Sequence, residues 1–131
     1  HDLAQTAIGS CGPERIAVAM RCPVLAVYPE RGELVVHGGA VHFSKDHLRL
    51  PDGSPCYGVL VRDRGAGWDT LETGLVLTAL SQEHGTLSGP PAEIANYRPG
   101  DGVTILPVHS CLTADAMGAY TTLEGERIER L

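Results

Sequence analysis

Residues 23–39 read PVLAVYPERGELVVHGG. Pro23–Tyr28 is a short apolar run closed by Pro29, and Glu33–His37 is a second one. Glu30-Arg31-Gly32 between them reads as a hairpin turn. Gly38-Gly39 then permits a bend or a close approach of backbone. The same alternation of short run and turn continues outward. Tyr57–Arg62 suits a strand, and Asp63 to Trp68 is rich in turn residues. Gly74–Leu80 is the strongest β run, although pattern alone does not separate it from a helix. Val103–His109 is a further strand, with Pro107 marking an end, edge or bulge. Ala119–Leu123 and Arg127–Leu131 read as closing strands joined by Glu124-Gly125-Glu126.

The intervening segments are loops. Residues 44–56 carry Ser44-Lys45-Asp46-His47 and the turn residues Pro51–Pro55. Residues 88–102 are rich in Pro, Gly and polar groups, and Leu112–Met117 suits one helical turn. Residues 1–22 differ from the rest. Pro13 suits the first position of a short helix over about Pro13–Arg21, with Glu14 in its first turn. The predicted fold is mainly β, with six to eight short strands closed as a small barrel or packed as a sandwich, plus a short N-terminal helix. No internal boundary or repeat divides residues 1–131, so one domain is expected.

Composition agrees with this and excludes other classes. The chain has 131 residues, with 16 acidic and 10 basic side chains and a net charge of −6. A nucleic-acid binder needs a basic footprint, so that partner is not expected. No apolar run approaches the roughly 20 residues of a membrane helix. An apolar fraction of 43% is enough for a core. Sixteen glycines and nine prolines, spread along the chain, would break a helical bundle repeatedly. The first residue is His and no signal peptide follows it, which suggests a processed product or part of a longer protein. Cys11, Cys22, Cys56 and Cys111 include no C-x-x-C pair. They read as free thiols in a reducing compartment, with cytoplasm the default; two disulfides in any of three connectivities are the alternative.

His109-Ser110-Cys111 is the sharpest chemical feature. On an extended strand, residues two apart face the same side, so imidazole and thiolate could meet one cation. Zn²⁺ accepts both donors, and two protein ligands leave positions open for water or substrate. On spacing alone, the commoner identity is a part-buried His and a core Cys that never meet a metal. Glu83-His84 follows the run ending at Leu80 and precedes Gly85, which places it at a strand end where functional groups are often displayed. It could complete a metal shell or handle a proton; an exposed polar turn explains it as well. His37 and His42 flank a segment whose two glycines allow close approach to a ligand, and a β-bulge with satisfied histidines explains the same letters. Lys45, the only lysine, sits in a polar segment with no sign of the desolvated pocket that a Schiff-base lysine needs. There is no G-x-S-x-G elbow, P-loop or G-x-G-x-x-G after a strand.

Taken together, several stretches resemble the C-terminal domain of the D-serine dehydratase-like family, which includes D-threonine aldolases. They are His1–Gln5 with Ile8–Cys11, Val35–Ala40 with Ser44-Lys45-Asp46, Gln82–Gly85, Pro99-Gly100-Asp101 and Leu106–Thr113. The resemblance implies a β domain that follows an alanine-racemase-like (β/α)₈ barrel carrying pyridoxal phosphate on a lysine. Such a barrel takes about 250 residues, so it is not in this chain. It implies that His109 and Cys111, at the P-x-H-x-C positions, hold Zn²⁺ or another divalent metal. It makes Glu83 and His84 active-site neighbours of unassigned role. The activity implied for the intact enzyme is that of a lyase acting on D-hydroxy-amino acids, by dehydratase-like β-elimination or aldolase-like retro-aldol cleavage. Aldolase members tend to carry Asp at the second metal position, so Cys111 leans toward the dehydratases, in keeping with sulfur's preference for zinc. This fragment alone is expected to be inactive. A face left bare by a missing barrel should be apolar, so a homodimer or a partner chain is expected. The alternative reading is a stand-alone, non-catalytic β domain that binds a ligand or partner. The upstream reading frame separates the two: a barrel with a cofactor lysine, or a start codon just before His1.

Overall fold

Along Met20–Tyr28, which forms β1, Cys22 and Val24 are buried while Arg21, Pro23 and Leu25 face solvent. This is the period of two expected of a half-buried strand. The computed structural model of the chain describes residues 1–69 and 73–129. A 3₁₀ turn at Pro29–Arg31 and a left-handed Gly32 (φ 65°) lead from β1 into β2, Glu33–His37. The two strands pair antiparallel, as the hairpin reading required. Helix α2 (Ala40–Phe43) follows, then a two-residue ribbon of β3 (Leu48–Arg49) and β4 (Pro55–Cys56) inside the expected loop. Next come β5 (Gly58–Val61), β6 (Val76–Leu80) and β7 (His84–Ser88), and helix α3 (Pro91–Ile94). The chain continues through β8 (Gly102–Pro107), helix α4 (Ser110–Met117), β9 (Ala119–Thr121) and β10 (Arg127–Glu129).

Six strands close into an antiparallel barrel in the order β1-β2-β7-β6-β5-β8. The choice left open between barrel and sandwich therefore falls to the barrel, which removes the sheet edges altogether. Leu34, Val36, Leu60, Leu77, Leu87 and Ile105 fill its interior, each at 1% exposure or less. A second cluster of Leu3, Ile16, Cys56, Val61, Leu106 and Val108 packs outside the barrel wall.

Several local expectations are corrected. The N-terminal helix is not Pro13–Arg21 but α1, Leu3–Ala7, with Asp2 as its cap. Pro13–Arg15 makes only a 3₁₀ turn, because the chain beyond it is drawn into β1, where Met20–Pro23 pair with Gly102–Ile105 of β8. A whole strand, β7, was not expected. The strand over Val103–His109 ends at Pro107, and the helix beyond it spans Ser110–Met117, two turns rather than one. The closing strands form a separate two-stranded sheet rather than barrel wall; residues 130 and 131 of the expected Arg127–Leu131 strand lie outside the described residues. All four cysteines are free thiols. Among the described residues, no helix is long and apolar enough to cross a membrane.

Candidate functional site

Antiparallel pairing decides which chain segments share a barrel end. His37 closes β2 and pairs with His84, which opens β7. Gly58, which opens β5, pairs with Pro107, which closes β8. The same end receives α2 from β2 and α4 from β8. Gly38 and Gly39 let the chain turn there: a Cβ on Gly39 would lie 2.5 Å from the carbonyl oxygen of Gln82. The expected close approach is thus backbone on backbone. Hydrogen bonds from Gly38 N–H to Glu83 O and from Ala40 N–H to Ser81 O fasten this crossing.

Helix α4 begins where it does because of Asp2. One Asp2 oxygen accepts from Gln5 N–H at 3.0 Å, capping α1. The other accepts from the backbone N–H of Ser110 at 3.0 Å and from its hydroxyl at 3.2 Å. A single buried carboxylate therefore satisfies the orphan donors of two helices. Burial works against its charge, but the hydrogen bonds from Gln5 and Ser110, with a smaller contribution from His109, outweigh it and hold the Asp2 pKa below the ordinary carboxylate value.

His109 is consequently the extended cap residue of α4, and Cys111 lies in the first helical turn, exposed. The two do not share an extended strand, as the spacing argument supposed. Nδ1 of His109 lies 2.8 Å from Oδ2 of Asp46, on the segment between α2 and β3. When that nitrogen donates to the carboxylate, the lone pair sits on Nε2, the tautomer a metal ligand requires. Thr113 braces the arrangement, its hydroxyl shared between Phe43 O at 3.3 Å and His109 O at 3.1 Å. This ties α4 to α2. Ser44, just after α2, holds φ 72° and ψ 176°, a region otherwise left to glycine. Its hydroxyl accepts from Asp46 N–H at 3.3 Å.

Glu83 and His84 lie at the strand end anticipated for them, His84 as the first residue of β7. Their neighbours are the other histidines. The ring centres of His37 and His84 are 6.2 Å apart, and those of His37 and His42 are 5.0 Å apart. His42 accepts the Gly39 N–H on Nδ1 at 3.1 Å. Burial and the nearby His37 lower its pKa, with Glu83 opposing. His47 stacks at a tilt on Tyr57, 5.4 Å between centres. Among the described residues, no three His, Cys, Asp or Glu side chains meet in a group that could hold a metal ion. The site therefore offers pairs of donors, with His109 and Cys111 two residues apart at one rim. Asp46, Asp2 and Thr113 were not singled out from the sequence. For Asp2 the signal was present, because Asp2-x-x-Gln5 has the spacing of a capping box. Asp46 carries no local signal, since it lies 63 positions from His109.

Residues 17–123 match the family model described as "Putative serine dehydratase domain". The chain is 30% identical over 133 residues to the D-serine dehydratase of Dictyostelium discoideum, covering 96% of this chain and 31% of that protein. It is 30% identical over 131 residues to D-threo-3-hydroxyaspartate dehydratase of Delftia sp. (strain HT23), covering 95% of this chain and 33% of that protein. Two solved variants of D-threo-3-hydroxyaspartate dehydratase, a His-to-Ala mutant and a Cys-to-Ala mutant in the metal-free form, each superpose with a TM-score of 0.81 at 27% identity. Both cover 100% of this chain and, respectively, 35% and 36% of the solved chains. The chain thus spans about a third of the length of the curated relatives it matches. With the family model matched over most of its length and a closed six-stranded barrel as its core, the chain belongs to the serine dehydratase domain family.

Proposed function

We propose that this chain is the metal-bearing C-terminal domain of a pyridoxal-phosphate-dependent dehydratase acting on small D-3-hydroxy-amino acids. The observation that carries the reading is the hydrogen bond between His109 Nδ1 and Asp46 Oδ2, which leaves Nε2 as the coordinating nitrogen. Cys111, two residues on, is exposed and free. The donor set fits a borderline, sulfur-accepting cation such as Zn²⁺ better than a hard one. The substituted histidine and cysteine in the solved relative stand two positions apart, as His109 and Cys111 do, and its Cys-to-Ala variant is described as metal-free.

In this reading His109 and Cys111 hold the metal from one side, leaving its other positions to water and substrate oxygens. When bound, the metal supplies Lewis-acid polarisation of the β-hydroxyl and pyridoxal phosphate, held by a barrel outside this chain, supplies the electron sink. Asp46 fixes the imidazole tautomer and its angle. Asp2 and Thr113 fix the start of α4 and so the place of both donors. Glu83 and His84 are exposed at the same barrel end and in this reading neighbour the active site, with no role assigned to either. Lys45 is exposed and takes no cofactor role. The coarser expectation, a domain of D-amino-acid dehydratases, rests on the relatives; the choice of β-elimination over retro-aldol cleavage rests on Cys111.

The contiguous apolar surface supports association with a second copy of the chain. A groove of about 400 Å³ runs between residues 17–20 and the α4–β9 region. Met117, Tyr120 and Leu123 line it and are each 39–54% exposed. The reaction is tested by supplying the full-length protein with D-serine and D-threo-3-hydroxyaspartate and following α-keto acid and ammonia. Their formation from either substrate supports the reading. Glycine and an aldehyde without keto acid, or no turnover, overturns it.

A further inference from the structure

His37 and His84 oppose each other across β2 and β7. The neighbouring pair, Gly38 and Glu83, is joined by a Gly38 N–H to Glu83 O bond of 2.9 Å. His37 and His84 therefore occupy a non-hydrogen-bonded position of the antiparallel ladder, where opposed side chains stand closest. Val36 and Gly85 are buried, so the two histidines, one step along each strand, project from the outer face, and both are exposed. The His37 ring neighbours two other imidazoles, those of His42 and His84.

We propose that His37 and His84 form a two-imidazole site for a borderline divalent cation of the Zn²⁺, Ni²⁺ and Cu²⁺ class, distinct from the His109 and Cys111 pair. Two imidazoles on one tetrahedral cation have ring centres about 5 Å apart, given a metal–nitrogen length of roughly 2.0–2.1 Å. The observed 6.2 Å closes to that by a small turn of either ring about its soft terminal torsion. Imidazole pairs favour this cation class over Mg²⁺ and Ca²⁺, which take oxygen ligands. His42 does not join the set although its ring is 5.0 Å from that of His37. Its Nδ1 accepts the Gly39 N–H, so in the neutral ring the proton resides on Nε2, which then donates rather than coordinates. The remaining positions on the cation go to water or a ligand oxygen. The site does not merge with His109, Asp46 and Cys111, because no three such side chains converge among the described residues.

The test uses this chain with His109→Ala and Cys111→Ala together, which removes the other donor pair. Zn²⁺ is titrated by calorimetry while histidine ring signals are followed by NMR. One Zn²⁺ should bind per chain and shift the rings of His37 and His84. His37→Gln and His84→Gln should each weaken binding tenfold or more, and His47→Gln should leave it unchanged. In the unsubstituted chain the same two rings should shift as well, which keeps the test valid if the double variant does not fold. No shift of these rings on saturation with Zn²⁺, or binding that survives both Gln variants, overturns the proposal. Neither result bears on the metal assignment of the dehydratase reading, which rests on His109, Asp46 and Cys111.

Discussion

Nδ1 of His109 and Oδ2 of Asp46 meet at 2.8 Å although they are 63 positions apart in the chain. The imidazole belongs to the cap of α4 and the carboxylate to the segment leaving α2, so their meeting depends on the packing of those two helices. Carboxylates in this position typically change metal affinity by about 10- to 100-fold. Asp46→Ala in the full-length protein should weaken Zn²⁺ by that factor, measured by competition with a chromophoric chelator. Asp46→Asn, which can still accept a hydrogen bond, should lose less. Unchanged affinity in both would remove Asp46 from the site.

Asp2 joins α1 to α4 through three hydrogen bonds. Loss of an N-cap costs about 0.5–2 kcal/mol, and Asp2 caps two helices. Asp2→Ala should therefore lower stability by about 1–3 kcal/mol in urea unfolding. The pH dependence follows from the lowered pKa of this carboxylate. The unfolded chain takes up the proton more readily than the folded one. The stabilisation is thus complete above the ordinary value of 3.8 and is lost as pH falls through the lower folded value. The variant's deficit should be full at pH 6 and shrink below pH 3.8; a deficit that grows with acid would contradict the assignment.

The cysteines should separate cleanly by reactivity. Burial pushes the Cys22 thiol up to about 12 and raises that of Cys56 also. The reactive species is the thiolate. Cys111 is exposed. Alkylation of the native chain by iodoacetamide at pH 8, mapped by mass spectrometry, should label Cys111 and leave Cys22 and Cys56 unlabelled until denaturant is added. Labelling of Cys22 at the native rate of Cys111 would contradict the barrel packing.

The groove lined by Met117, Tyr120 and Leu123 predicts self-association, because exposed apolar patches of this kind promote pairing. Sedimentation equilibrium should show a dimer at high concentration, weakened by Leu123→Ser. A monomer throughout would reject the second copy as the occupant.

Much of the barrel was legible in the sequence because its strands carry their own signals. The hairpin over 23–37 has two β-rich runs and a turn, and Pro107 marks a strand end by its missing donor. Strand β7 was not legible. Its sequence, His84-Gly85-Thr86-Leu87-Ser88, has one large apolar residue, and it becomes a strand only through pairing with β2 and β6. Helix α1 has five residues, too few for periodicity to show. The proposed metal pair, His109 and Cys111, is singled out by the family resemblance more than by its spacing, and the extended-strand geometry assumed for it is not the one that forms. Nothing between residues 103 and 111 signals that the helix begins at Ser110. That start is imposed by Asp2, 108 positions away, and no local pattern carries information over that distance.

His109 and Cys111 are proposed to hold a catalytic metal together. The most direct measurement is the metal content of the purified full-length protein by plasma mass spectrometry, with turnover recorded on the same samples. One zinc or similar ion per chain is expected, lost in His109→Ala and in Cys111→Ala together with activity, while cofactor absorbance is retained. Undiminished metal and turnover in both variants would remove His109 and Cys111 from the metal site.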